Sequence, residues 1–253
     1  MMIKKVVVPV SGGKDSQACL KLAVGKYGKD SVLGLFCDTK FEHPLTYQHV
    51  KDISKLYDVE IVTINDGSVE TKVLKYGRFP GGGARHCTDE LKIIPSKKFY
   101  KAFAEQQGSG FEVWYGVRVD ESAQRSKRYA NKFSDEIYKF HEYMPGKFPK
   151  YLSNKYGVYV RMPILDWTYG EVMDFLDGEQ NPLYDMGFDR VGCFPCLAGG
   201  DAWKEKAFQF DETGKEHYKK VIWLEQQINK SVWTSKGGKA RNCDSNGCSI
   251  CSM

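Results

Sequence analysis

The chain has 253 residues, 42% of them apolar and 13% aromatic, enough for one sizeable α/β domain with an appended segment. No apolar run approaches the ~20 residues a membrane helix needs, so a helical span is excluded and no membrane partner is expected. A net charge of +5 is modest for this length, so a nucleic-acid role must rest on where the charge sits.

At the N-terminus, MMIKKVVVPV places two lysines before an apolar stretch too short for a signal-peptide core and without a cleavage site. Residues 3–10 therefore read as a buried strand, and the protein as cytoplasmic. A helix over 14–27 follows, with Ala18, Cys19, Leu22 and Ala23 on one face and GKYG as its stop. SVLGLFCDT is a second strand, Pro44 opens a helix to Tyr57, and VEIVTI is a third strand. FPGGGARHC is a glycine-rich loop, and residues 88–107 read as helix. FEVWYGV and GVYVRMPI are the fourth and fifth strands, and Thr168 caps a helix to Leu176. One long helix is expected over 203–230, followed by a Gly/Lys/Ser-rich tail. The alternation predicts a Rossmann-like α/β fold, a parallel sheet with helices on both faces. Ligands of such sheets bind beyond the strands' carboxyl ends, where Ser11, Cys37–Thr39 and Arg118 fall.

Between the first strand and its helix runs Ser11-Gly12-Gly13-Lys14-Asp15-Ser16. A helix start exposes backbone N–H groups, and its dipole favours an anion there. Glycines let a phosphate approach the backbone, Lys14 adds a cation, and Ser11 and Ser16 add hydroxyls. The spacing is too short for G-x4-G-K-[ST] and does not match G-x-G-x-x-G.

Eight cysteines are many for a reducing compartment, and their grouping points to metal or redox chemistry. Cys193 and Cys196 form a C-x2-C, Cys243, Cys248 and Cys251 a C-x4-C-x2-C, and Cys87 stands in GGGARHCTDELK. Cys19 and Cys37, in apolar contexts, read as buried small hydrophobes. Residues 126–161 interleave eight Lys/Arg and three Asp/Glu with nine aromatics. Such a segment either follows a phosphate backbone and stacks unpaired bases, or packs its rings into a small core of its own.

SGGKDS resembles the pyrophosphate-binding loop of the N-type ATP pyrophosphatases, which cleave ATP between the α and β phosphates. CDTKFEHP (37–44), HCTDELKIIP (86–95), GVRVDESAQR (116–125) and NPLYDMGFDRVGCFPC (181–196) extend the likeness to the phosphoadenosine-phosphosulfate (PAPS) reductase-like family, over roughly residues 5 to 200. The resemblance implies an adenine nucleotide alpha hydrolase-like fold, with a nucleotide-binding domain over 1–200 and a C-terminal helix and cysteine-rich tail over 201–253. It implies ATP at Ser11, Gly12, Gly13, Lys14, Asp15, Ser16, Asp38, Arg118 and Arg125. Lys14 would neutralise departing pyrophosphate, and Asp15 either helps hold Mg²⁺ or favours the helix start. Arg118 and Arg125 suit phosphate, although Glu121 and Arg125 are also spaced for an i, i+4 ion pair. Lys92 matches the family's basic position after the cysteine. True sulfonucleotide reductases of the family have a degenerate loop; here it is intact, which favours adenylation with release of pyrophosphate.

GCFPC with Cys87 upstream resembles the iron–sulfur arrangement of cluster-containing adenylylsulfate reductases, implying a 4Fe-4S cluster on Cys87, Cys193 and Cys196. The first position reads His86-Cys87, so one ligand of the family's cysteine pair is missing. Three thiolates leave one iron open to exogenous sulfide or to a fourth ligand, with His86 and the tail cysteines as candidates. Cys248 or Cys251 could instead relay sulfur over the cleft, or the tail could hold a separate metal. The implied function is ATP-dependent sulfur transfer to nucleic acid, nearest to the DNA phosphorothioation proteins, with a cysteine desulfurase as donor. A tRNA-thiolating enzyme would use the same parts. The alternatives are a sulfonucleotide reductase releasing sulfite and a nucleotide-binding module with a structural cluster. A homo-oligomer is left open.

Overall fold

The computed structural model describes residues 3–81 and 84–234. The expectations for Cys248 and Cys251 therefore lie outside the described residues. Five consecutive apolar residues make Val6–Val10 (β1) a strand buried along its whole length, as a parallel strand covered on both faces must be. It feeds α1 (Lys14–Tyr27) and is followed by β2 (Val32–Cys37), α2 (Pro44–Leu56), β3 (Ile61–Ile64) and α3 (Val69–Tyr76). A short turn of helix, α4 (His86–Thr88), leads to α5 (Ile94–Gln107), β4 (Phe111–Trp114) and α6 (Ala123–Tyr129). Then come β5 (Tyr138–Lys139), α7 (Phe140–Tyr143), α8 (Tyr151–Asn154), β6 (Val158–Arg161), α9 (Tyr169–Leu176), α10 (Asp201–Phe210) and α11 (Glu212–Ile228).

The sheet runs β3-β2-β1-β4-β6-β5, parallel throughout except for β5, which pairs antiparallel with β6. Strand order reverses between β1 and β4, so the loops after these two strands open a crevice at the switch point. One sheet face is packed by Tyr100, Phe111, Tyr115 and Phe140, the other by Ala18, Leu20, Val50 and Ile53. Cys19 and Cys37 are both buried, as expected of small hydrophobes. No helix among the described residues is long and apolar enough to cross a membrane.

Four differences from the sequence expectations have physical causes. The helix expected over 88–107 starts as α4 and widens to a π-type turn over Asp89–Ile93 before α5, where Pro95 supplies no N–H to the ladder. α3 was not expected; a reciprocal Ser68–Thr71 capping box starts it. The single helix expected over 203–230 is two, because Asp211 is extended and caps α11 by accepting from Gly214 N at 2.9 Å. Finally, the basic aromatic segment is mostly core: Tyr129, Tyr138, Phe140, Tyr143 and Phe148 are buried, and only Phe133 and Tyr151 are well exposed.

Candidate functional site

Apolar β1 delivers the chain to Ser11, and Gly12 turns it with φ +76°, a left-handed conformation that favours glycine. α1 begins at Lys14, with Gly13 as its extended N-cap. The serines brace this turn from within. Ser16 Oγ donates to Gly13 O at 2.8 Å and accepts from Ser11 N at 3.1 Å, and Ser11 Oγ lies 3.2 Å from Ser16 Oγ. A second close approach fixes the crevice. A Cβ on Gly116, just past β4, would lie 2.5 Å from the Asp15 carbonyl carbon, so only glycine lets β4 run against the start of α1.

Cations collect there. Lys14 is 4% exposed; its ammonium bonds Asp15 Oδ2 at 3.1 Å and lies 4.8 Å and 5.5 Å from the ring centres of Tyr169 and Tyr184. Arg118, past the end of β4, donates from Nε to Asp15 Oδ1 at 2.7 Å and from Nη1 to Asp120 at 2.8 Å. Arg125 is fully buried and pairs with Glu121, the i, i+4 contact its spacing allowed. Burial pushes the Lys14 ammonium down from its ordinary pKa; Asp15 opposes the shift, and the Arg118 and Arg125 charges add to it. Burial likewise lowers Arg125, and Arg190 adds to that. Lys14, Arg118 and Arg125 thus gather near the Asp15 carboxylate, with the Arg190 charge acting on Arg125, a positive field that an anion relieves.

Arg190 leads to the second half of the site. It lines a small cavity with Lys92, Gly192, Cys193, Cys196 and Trp203. Cys87 packs in the same apolar cluster as Cys193, and its charge acts on Cys193. The three expected thiols are thus brought together. Beside them lies a buried carboxylate, Glu42, held by Thr39 Oγ1 at 2.7 Å, Phe41 N at 3.2 Å and Tyr47 OH at 3.1 Å. Thr39 Oγ1 is also 3.3 Å from Cys193 Sγ. Burial, with Glu42 second, pushes the Cys193 thiol up to about 12. Asp38 bonds Lys40 and Tyr47, which places it on this thiol side. His86 stacks on Tyr76 at 4.6 Å.

The donor set can be tested against a cluster. Among the described residues no three His, Cys, Asp or Glu side chains close round a single metal ion. An iron–sulfur cube spreads its thiolates wider than that, and three thiols beside Lys92 and Arg190 fit such an anionic centre.

Several of these residues were not expected from the sequence. Glu42 and Arg190 lie inside quoted stretches, and their only signal was a charge next to a motif. Tyr184 lies in the same 181–196 stretch as Arg190, but an aromatic in a loop reads as packing.

A glycine turn at the switch point of a mostly parallel sheet, wrapped by helices, makes this a Rossmann-like α/β fold. Within that class the chain belongs to the phosphoadenosine phosphosulfate reductase domain family, whose model matches residues 5–198. The family is enzymatic. The chain is 31% identical over 198 residues to an uncharacterised Methanocaldococcus jannaschii protein, covering 77% of this chain and 36% of that one. It is 25% identical over 167 residues to an adenosine 5'-phosphosulfate reductase of Salinibacter ruber, covering 64% and 56%. Among solved structures, the U34-tRNA thiolase NcsA from Methanococcus maripaludis with its [4Fe-4S] cluster aligns with all of this chain and 82% of that one, at TM-score 0.48 and 15% identity. The chain spans about a third to a half of the length of these two curated relatives.

Proposed function

We propose that the chain is an ATP-consuming sulfur-transfer enzyme that acts on nucleic acid, with a DNA backbone phosphate as acceptor. The observation that carries this is Arg190, which lines the thiol cavity while its charge acts on Arg125 and on Tyr184, the tyrosine that meets the start of α1. Activation and sulfur delivery would then share one crevice. An acceptor oxygen attacks the α-phosphorus of ATP and pyrophosphate leaves. Sulfide then displaces AMP, leaving sulfur where oxygen was.

Lys14 and Arg118 take up the charge of the departing pyrophosphate, and the Gly12–Gly13 turn brings it to the start of α1. Asp15 orients Lys14 and Arg118 and offers a carboxylate for Mg²⁺. Arg125 and Arg190 hold the acceptor phosphate between loop and thiols. Cys87, Cys193 and Cys196 are the residues that would hold a 4Fe-4S cluster, which supplies an iron able to bind sulfide. Glu42 and Thr39 fix Cys193 in place. Sulfur would come from a cysteine desulfurase as persulfide, released as sulfide by a thiol reductant that ends as a disulfide, and the exposed Lys127, Arg128, Lys150 and Lys155 offer charge to a phosphate backbone.

Product analysis from α-labelled ATP, run anaerobically with Mg²⁺ and with DNA or tRNA, tests this. AMP plus pyrophosphate, stimulated by DNA and lost in Lys14→Ala, is the expected result. Stimulation by tRNA alone moves the acceptor to RNA. The relatives that reduce sulfonucleotides favour a second reading, which predicts no AMP from ATP and thiol-dependent release of sulfite from a sulfonucleotide.

A further inference from the structure

The segment from Asn181 to Cys196 ties the phosphate loop to the thiol cavity. At its start, buried Asn181 donates from Nδ2 to Gly12 O at 3.1 Å. Three residues on, the Tyr184 hydroxyl accepts from Lys14 N at 3.0 Å. The contact is close on all sides, since a Cβ on Gly13 would lie 3.3 Å from the Tyr184 hydroxyl and 3.2 Å from Val191 O. Tyr184 packs with Phe188, Phe194 and Trp203 in one apolar cluster. Phe194 stands between the two cysteines of the C-x2-C, and Trp203 lines the thiol cavity itself. From Tyr184 to Phe188 the backbone bonds are local turns, Gly187 N to Tyr184 O at 3.0 Å and Phe188 N to Leu183 O at 3.0 Å, whereas at the thiol end Cys193 bridges to Glu42 and Phe194 N donates to Phe41 O at 2.7 Å.

Lys14 N is the first N–H of α1, one of the donors a helix start leaves without an intrahelical partner. It is also a donor that an oxyanion bound at this helix start requires. One N–H gives one full hydrogen bond. A phosphate oxygen makes the stronger, charge-assisted one, so phosphate and the neutral hydroxyl compete unequally for it. Burial raises the Tyr184 pKa, which keeps the hydroxyl neutral and the weaker competitor.

We infer that Tyr184 is a latch. Its hydroxyl holds the place of a phosphate oxygen on Lys14 N, and displacement by nucleotide loosens the 183–188 turn and shifts Phe194 and Trp203 about the thiols. This deepens the proposed function and rests on its nucleotide reading of the loop. Coupling of this kind is reciprocal, so whatever binds the thiols changes nucleotide affinity in turn.

Amide hydrogen exchange read by mass spectrometry on the full chain, with calorimetry alongside, tests the latch. With Mg²⁺, both ATP and inorganic pyrophosphate are expected to speed exchange in peptides covering 184–192, whereas simple occupancy of a pocket slows it. Tyr184→Phe is expected to show the faster exchange without ligand and no further rise with it. It is also expected to bind ATP about threefold to tenfold tighter, the worth of one competing hydrogen bond. If ATP binds the wild type but exchange at 184–192 is unchanged or slower, the latch is overturned. Wild-type or weaker affinity in Tyr184→Phe overturns it equally. If neither ATP nor pyrophosphate binds the wild type, the nucleotide reading itself fails and the latch falls with it. The wild-type exchange decides the matter even where the variant folds poorly.

Discussion

Two regions of this molecule announce themselves in the sequence as places where something charged is bound, and they are built differently. The phosphate loop, residues 11–16, places its glycines, lysine and serines at the mouth of the sheet, ringed by buried cations. The basic aromatic segment, residues 126–161, turns most of its rings inward instead. Tyr115 and Tyr143 stack at 4.8 Å, and Phe140 and Phe148 meet at 4.5 Å beneath the sheet. The difference lies in range. A turn between a strand and a helix is decided within six residues, so its chemistry can be read locally. Whether an aromatic ring faces water is decided by what packs on it from elsewhere in the chain.

The largest expected effect separates those two kinds of aromatic. Phe140→Ala removes a fully buried ring from the core and should cost about 3–5 kcal/mol in a denaturant titration. Phe133→Ala changes an exposed ring and should stay within about 0.5 kcal/mol. Equal costs would mean the segment is not divided as described. Lys14→Ala comes next. With the ammonium gone, AMP formation should fall about 10²- to 10³-fold, with little change in the melting temperature. A loss of fold in that variant would make the loop's cation structural.

A smaller effect appears on acidification. His49 on α2 lies 2.8 Å from Gln17 Oε1 on α1, and burial pushes its pKa down to about 4 from an ordinary 6.5. Between those values the unfolded chain binds a proton that the folded chain does not. Stability therefore falls as pH drops from about 6.5 towards 4, by up to about 3 kcal/mol. Denaturant midpoints across that window should show the slope, and His49→Gln should flatten it. An unchanged slope would place the acid sensitivity elsewhere.

Much of the architecture was legible because it is periodic. The apolar runs of β1 and β2 and the proline at the start of α2 need no tertiary knowledge. The breaks are less local. Asp211 divides α10 from α11 while its carboxylate meets His43 Nε2 at 2.8 Å, 168 residues away in the chain. Two residues of β5 form a strand only because Tyr138 and Lys139 find β6 to pair with. The site divides the same way. The loop and the C-x2-C are local spellings, whereas Tyr184 on Lys14 and Glu42 beside Cys193 are meetings across 170 and 151 residues. No single-sequence pattern encodes such pairs.

The smallest expected effect is the one that bears on the acceptor. Lys127 and Arg128 are exposed on α6, the helix whose buried Arg125 faces the phosphate loop. If a nucleic-acid backbone runs along this helix towards the crevice, Lys127→Ala and Arg128→Ala should each lower the salt dependence of DNA binding by about one unit of slope. They should do so without changing ATP affinity, because neither residue belongs to the loop. Phe133→Ala adds the complementary test: a stacking ring lost from the strand's path weakens binding at every salt concentration and leaves the slope alone. Unaltered slopes in both basic variants would remove the backbone from α6. The buried rings of residues 126–161 would then be the whole account of that segment, and the acceptor would have to reach Arg190 from another side.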